Sequence, residues 1–462
     1  VAKPTDPYMT QTDLLAWRME QDPVLRSTIV AVALLDRVPD WDAFVRLMER
    51  GTRAVPIFRY KAVSTSIGLA PPRWVVDPDF DLSWHLRRAA VPPAGGLAAV
   101  LDFARTAGMS AFDKDRPLWE FTVLEGLSEG RAALVMKVHH ALTDGVGGMQ
   151  ITNEIVDFTR SGTDRGPAPQ PVVPGPADGR SSALTALLWH LDTGVRLLRK
   201  GASAPVGISR ILTAPLSTVR RLAAVAGSVA RFTRPVTTTL SPVMTERSTR
   251  RQFAVLDIPL DGLRGAASAG DCTMNDAFLT SVLLGLKRYH ALHGADVAEL
   301  SLTLPMSLRA ESDPLGGNRI TLARFTLPTV ETDPGDLMRA VRRTVTAWRD
   351  EPAVAHSSSI AAVLNLFPAR ILGSMLKHVD FVASDVPGPT IPLYLAGAEI
   401  CEYYAFSPTL GAAFNVTLLS YLGHCSIGVN ADCAAVPDLS CLAESLDAGF
   451  RAVCALGVAP GV

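Results

Sequence analysis

The chain has little with which to hold a metal or cross a membrane. Its six cysteines form no CxxC pair, and Cys425, Cys433, Cys441 and Cys454 are spaced too widely for a zinc knuckle or a dithiol redox motif. They read as reduced structural thiols of a cytoplasmic protein. No apolar run approaches the ~18 residues that a membrane helix needs. The opening VAKPTDPYMTQTDLLAWRMEQDP lacks the basic start and apolar core of an export signal. An excess of one charge is missing too: 44 Lys and Arg against 45 Asp and Glu leave a net charge of -1, so no global field would hold nucleic acid. Aromatic residues are only 6%, yet 48% of the 462 residues are hydrophobic, which is too apolar for disorder and too long for one core.

What is present divides the chain. Between Ser161 and Ser182 five prolines and four glycines interrupt every helical or alternating pattern, and the stretch reads as an extended linker. Residues 1–160 mix α and β signals: a helix near Asp13 to Met19, the strand STIVAVALLD, the helix WDAFVRLMERG, then PPRWVVDPDFDLSWHLRR. Over 183–240 two amphipathic helical patterns carry one acid, Asp192, against a run of arginines from Arg196 to Arg234. This basic insert suits either an anionic membrane or lipid surface, or helices packed on the body with a solvated face. Residues 241–462 return to mixed signals: the strand QFAVLDIPL, a helix from Met274 to His293, the alternating LSLTLPMSLR, a helix capped by Asp333 and Pro334, and the strand pattern AAFNVTLLSYLGHCSIGVNAD. Two mixed α/β units are therefore expected.

The most chemical stretch is RPLWEFTVLEGLSEGRAALVMKVHHALTDGVGGMQ. Two alternating strands separated by a turn form a hairpin whose second strand ends at His139 and His140, and Asp144 and Gly145 follow in a short loop ahead of a helical pattern. Read as a phosphate cradle, the glycines fail GxGxxG, because Gln150 stands where the last one belongs. A metal site would need a third ligand nearby, and none is spaced for it, so no metal is expected. A structural histidine pair at a strand end needs no chemistry. General-base work by a neutral imidazole fixed by its neighbours is the remaining reading, favoured by the acid and glycine that follow. Elsewhere, Thr273 and Asp276 form a TxxD capping box, Trp119 suits a core, and His290 and His293 suit a surface or interface.

HHALTDG resembles the HHxxxDG motif of the acyl-CoA-dependent acyltransferase superfamily, shared by chloramphenicol acetyltransferase, peptide-synthetase condensation domains and polyketide-associated acyltransferases. PLW at Pro117 to Trp119, MNDAF with Asn275 and Asp276, LPMSLR ending at Arg309, GNRI, SDVPGP at Ser384 to Pro389 and FNVTLLSYLG extend the match over nearly the whole chain. In order and spacing they resemble the bacterial wax ester synthase/diacylglycerol acyltransferase family. The resemblance implies two chloramphenicol-acetyltransferase-like α/β lobes with the active site and a substrate tunnel at their interface. It also implies long-chain acyl-CoA as a substrate, with no separate cofactor, and diacylglycerol or a fatty alcohol as acceptor. His140 would be the catalytic base, with His139, Asp144 and Gly145 shaping the motif loop and Arg309 as the partner of Asp144. Asn275 and Asp276 match the family's second polar motif, and Asn415 and Ser420 could hydrogen-bond the oxyanion or brace their strand. With insoluble substrates, the basic insert would attach a cytoplasmic protein to a membrane or lipid-droplet surface. A non-catalytic or carrier-protein-dependent acyl-binding relative is the alternative. The chain departs from the family pattern at Asp385 and Leu422, both positions where asparagine is usual.

Overall fold

The structure, a computed structural model, describes residues 8–64, 70–92, 95–173, 238–307, 320–349, 364–365, 373 and 376–457. The expected basic insert, apart from residues 238–240, and Arg309 lie outside the described residues, as does the second part of the expected linker; residues 161–173 of that linker carry no helix or strand. In chain order the elements are α1 (Gln11–Met19), β1 (Thr28–Leu35), α2 (Trp41–Ala54), β2 (Tyr60–Val63), β3 (Arg73–Val76), α3 (Leu82–His85), β4 (Leu86–Ala90), α4 (Leu97–Met109), β5 (Trp119–Glu125), β6 (Ala132–His139) and α5 (Gly145–Ile155). Beyond residue 238 come β7 (Arg251–Pro259), α6 (Leu260–Ala269), α7 (Met274–Leu292), β8 (Glu299–Ser307), β9 (Ile320–Pro328), α8 (Pro334–Arg349), β10 (Phe381–Val386), β11 (Tyr394–Leu395), β12 (Ala398–Phe406), β13 (Phe414–Tyr421), β14 (His424–Asp432) and α9 (Leu439–Cys454).

Two six-stranded sheets organise the two lobes, in the orders β11-β12-β1-β6-β5-β4 and β7-β14-β13-β10-β8-β9. The local causes are legible. Asp40 caps α2 by accepting from the Ala43 N–H at 2.7 Å, and Phe44, Met48, Gly51 and Thr52 then fall on one buried face at helical spacing. After Thr28, β1 is apolar from Ile29 to Leu35 because both of its faces are covered: Val30, Val32 and Leu34 join one core, Ala33 and Leu35 the other. In the second lobe the apolar side of β13 and β14 (Phe414, Val416, Leu418, Ile427, Val429) buries against Leu263, Phe278, Leu286, Met338 and Phe450 of the covering helices α6 to α9.

The expected span 241–462 is not self-contained. β11 and β12 leave the second lobe and complete the first sheet, β12 pairing antiparallel with β1 from Val30↔Phe406 to Leu35↔Ile400. The cause is that β1 would otherwise be an open edge, and burying that edge satisfies a row of backbone groups. The crossover also brings the lobes into contact. Phe253 of β7 stacks on Phe406 of β12 with ring centroids 4.2 Å apart, and a Cβ on Gly428 would lie 2.1 Å from the Ala405 carbonyl oxygen. Only glycine permits that approach of β14 to β12. Arg251 ties the same corner: it donates to Asp432 at 2.6 Å and to the Val24 carbonyl of the first lobe at 3.0 Å.

Candidate active site

Strand alternation separates the two motif histidines. Along β6 Met136 and Val138 face the cavity between the lobes while Lys137 and His139 face away, and His140, the first residue past the strand, returns to the cavity side. Its backbone N–H donates to the Ser27 carbonyl at 2.8 Å, so the turn after β6 is held to the start of β1. Burial pushes the His140 pKa below its ordinary value of 6.5, against the opposing pull of its own backbone and of Asp144. The imidazole is therefore neutral at neutral pH, which is the form a general base needs.

His139 is buried and structural. The Ala141 N–H donates to its Nδ1 at 3.0 Å, which leaves the ring proton on Nε2, 3.5 Å from Glu20 Oε2. Trp17 and Phe112 pack edge-on against the ring. Burial alone would raise the Glu20 carboxyl, but His139, the Ser27 N–H and Arg26 together bring it below the usual carboxylate range. Asp144 serves as the N-cap of α5, accepting from the Gly147 N–H at 2.7 Å with its side chain buried. Gly145 then packs on Val386 of the second lobe.

The cavity between the lobes has a volume of about 160 Å³, roughly ten times the space one water needs. Ile29, Phe121 and Met136 of the first sheet face Pro305, Leu322 and Leu419 of the second across it, and its walls are mostly apolar. This is suitable for acyl and alkyl chains. The few polar groups are His140, Asp144, Thr152, Ser384, Asp385, Tyr403 and Asn415 with short hydroxyl neighbours.

Other expected site residues fall differently. Asn415 lines the cavity with its amide already braced, donating to the Pro408 carbonyl at 3.0 Å and accepting from Thr417 Oγ1 at 2.9 Å. Ser420 stands outside the cavity wall and holds the loop after β10 by accepting from the Gly388 N–H at 3.0 Å. Asn275 and Asp276 are not at the cavity either, because α7 covers the outer face of the second sheet while the cavity lies between the sheets. Asp276 completes the capping box with Thr273, whose hydroxyl and backbone N–H donate to it at 2.7 and 2.8 Å. His290, expected at a surface or interface, is fully buried, donating to the Leu286 carbonyl and accepting from Ser241, both at 2.7 Å. Trp119 is core, stacked on His85 at 4.4 Å.

The two departures have distinct fates. Leu422 takes the first position of the β13–β14 turn at φ 48, followed by Gly423 at φ 85, a two-residue hairpin that favours Asn-Gly. Asp385 borders the cavity, open to its void yet deep in the protein, and burial pushes its pKa up to about 6. Sequence reasoning missed Tyr403. Its hydroxyl lies 3.5 Å from Thr152 Oγ1 on the cavity wall, whereas its neighbour Tyr404 faces the opposite core. Only the register Ala33↔Tyr403 separates the two tyrosines, and nothing in EYYAF announces it.

An imidazole at the meeting of two sheet-based lobes, on an apolar cavity, defines a two-lobed acyltransferase architecture. Comparison with known proteins agrees. The wax ester synthase/diacylglycerol acyltransferase catalytic domain matches residues 9–278 and that family's C-terminal domain matches residues 316–453. A Mycobacterium tuberculosis H37Rv protein, provisionally named a diacylglycerol O-acyltransferase, is 37% identical over 455 residues, covering 97% of this chain and 92% of its own. The wax ester synthase/diacylglycerol acyltransferase from Marinobacter aquaeolei VT8 superposes with a TM-score of 0.64 at 21% identity, over 98% of this chain and all of that one. The first condensation domain of the calcium-dependent antibiotic synthetase shares the fold at TM-score 0.62 and 15% identity, covering 100% of this chain and 98% of its own. The chain belongs to the wax ester synthase/diacylglycerol acyltransferase family and is an acyltransferase.

Proposed function

We propose that the enzyme esterifies diacylglycerol to triacylglycerol with long-chain acyl-CoA as donor, and long-chain alcohols to wax esters by the same chemistry. The observation that carries this reading is the His140 imidazole, held on the cavity side of the strand end and kept neutral by burial. His140 takes the proton of the acceptor hydroxyl as its oxygen attacks the thioester carbonyl. The tetrahedral intermediate then expels the CoA sulfur, which regains the proton from the imidazolium. A base of this kind contributes about 100- to 10,000-fold, and alignment of the two substrates in the apolar cavity supplies much of the remainder. No acyl-enzyme is needed.

Among the described residues no helix is long and apolar enough to cross a membrane. We infer that the enzyme meets its insoluble substrates peripherally, through the arginines between Arg196 and Arg234, at an anionic membrane or lipid-droplet surface. Flotation with anionic liposomes tests this: removing the arginines from Arg220 to Arg234 should abolish it, and equal flotation would end the idea. The activity itself is tested by CoA release from palmitoyl-CoA with diacylglycerol and with hexadecanol, with products separated by chromatography. Acceptor-dependent release should vanish in His140→Ala while the fold persists. Absence of release from the parent with both acceptors would instead leave a protein that binds acyl chains or takes its acyl group from another donor, such as a carrier protein.

A further inference from the structure

Transfer through a tetrahedral intermediate needs, besides a base, a hydrogen-bond donor aimed at the oxygen on which negative charge develops. Most polar side chains of the apolar cavity have no proton to offer. Asn415 donates its amide to the Pro408 carbonyl at 3.0 Å. Thr152 donates to the Gly148 carbonyl at 2.9 Å and Thr143 to that of Asp144 at 3.1 Å. With the Thr152 proton committed, Tyr403 is the donor across the 3.5 Å that separates their hydroxyls. Asp144 accepts as the cap of α5, and Asp385, ionised above about pH 6, also only accepts. Two hydroxyls on the wall are left, those of Ser384 and Ser407, and neither bonds any described residue.

The two serines approach from different sheets. Ser407 follows Phe406 at the end of β12, on the sheet that carries His140, and β1 lies between β12 and β6. Two strand spacings, about 10 Å, therefore separate it from the strand of the base, farther than a single oxyanion bridges.

Ser384 comes from the second lobe. Along β10 Phe381 and Ala383 enter the core under the helices, whereas Val382, Ser384 and Val386 face the cavity. Val386 is the side chain that a Cβ on Gly145 would meet at 2.9 Å, so this face of β10 abuts the loop of the histidine motif. Ser384 stands one strand repeat, about 7 Å, back from that contact. Its hydroxyl thus looks across the cavity towards the loop that carries His140. Ser384 is 7% exposed, and its register neighbour Thr417 is occupied with Asn415 Oδ1 at 2.9 Å. Native interiors rarely keep a buried hydroxyl without a partner, and one retained on the wall of a reaction cavity points to a partner that the substrate supplies.

We propose that Ser384 is a second catalytic residue, whose hydroxyl donates to the oxyanion of the tetrahedral intermediate while His140 acts from the other lobe. The assignment rests on the thioester chemistry proposed above. As the acceptor oxygen bonds to the thioester carbon and its proton passes to His140, the carbonyl π pair moves onto oxygen and accepts the Ser384 O–H. When the carbonyl re-forms, the C–S bond breaks and the sulfur takes the proton from the imidazolium. Ser384 keeps its own proton throughout and forms no acyl-enzyme.

The test uses Ser384→Thr and Ser384→Val, which share a shape and differ in the hydroxyl, with Ser407→Ala as a control. Ser384→Val should lower kcat about 100- to 1,000-fold at nearly unchanged KM, because the lost bond exists only in the transition state. Ser384→Thr should recover most of that rate, and Ser407→Ala should stay near the parent. Equal rates in the Thr and Val variants, a change confined to KM, or a large loss in Ser407→Ala would each overturn the assignment. Ser384→Ala should unfold at the same urea concentration as the parent or a higher one, since the hydroxyl has no partner in the folded protein to lose. A lower midpoint would mark the hydroxyl as structural and reject the proposal.

A binding measurement separates this proposal from the acceptor assignment. The methyl ester of hexadecylphosphonic acid is a tetrahedral anion, and methyl palmitate is its flat, neutral counterpart. Displacement of a fluorescent fatty acid by each ranks their affinities without turnover. Loss of about tenfold or more for the phosphonate in Ser384→Val, with methyl palmitate unchanged and Ser384→Thr close to the parent, would uphold the oxyanion role even if the parent transfers to neither diacylglycerol nor hexadecanol. Equal phosphonate affinity in the Thr and Val variants would reject it.

Discussion

A methyl group on Gly145 would stand 2.9 Å from Val386 Cγ2, so the loop that carries the histidine motif in the first lobe touches the strand that leads into VPGP in the second. Gly145→Ala must push β10 and the N-terminus of α5 apart. Overpacking of this kind costs about 1–3 kcal/mol. Urea denaturation should show that loss, with a lower kcat for the same acceptor. A variant as stable and as fast as the parent would mean that the contact is slack.

Depression of the His140 pKa by burial sets the pH profile. Below the folded pKa the imidazole is protonated and cannot accept the acceptor's proton, so the acidic limb of kcat/KM should lie below pH 6.5. Rates measured from pH 5 to 8 check this. An inflection above 6.5 would assign the limb to another group.

Asp385 affects stability with the opposite sign to an ion-paired carboxylate. Burial raises its folded pKa from 3.8 to about 6, so between those values the folded state binds the proton and the unfolded state does not. The contribution is most favourable below the unfolded pKa and declines as pH rises through the folded one. Asp385→Asn removes the titration. It should flatten the stability curve between pH 4 and pH 6 and exceed the parent in stability at pH 7. A parallel curve would show that the carboxyl is freely hydrated.

At Leu422, where the family resemblance leads one to expect asparagine, two local effects oppose each other. At φ 48 a leucine carries strain that asparagine relieves, while its half-buried side chain gains apolar contact that asparagine forfeits. Leu422→Asn should therefore change stability by no more than about 1 kcal/mol. Its kcat/KM for diacylglycerol and for hexadecanol should equal the parent's, because the residue is not part of the cavity wall. A changed ratio between the acceptors would place the turn in the substrate's path.

Local elements were legible because their causes are local. The alternation of LSLTLPMSLR, the Asp333-Pro334 start of α8, the TxxD box of α7 and the apolar run of β1 each follow from backbone geometry within a few residues. The motif could be read for the same reason, since strand, turn and helix N-cap are contiguous from β6 through Asp144 to α5.

Sequence by itself determined the mixed α/β class, the family and the nomination of His140, because these depend on residue order and on a contiguous motif. Tertiary structure decided which side chains share the cavity with it. Tyr403, Asp385 and Val386 arrive from more than 240 residues away, and Asn275 and Ser420, matched by motif, do not arrive at all. The crossover of β11 and β12 was equally invisible, for a strand's own pattern records that its faces are buried and not which edge it pairs with. Burial sets the protonation of His140 and Asp385, and burial belongs to the packed lobes rather than to any segment of the chain.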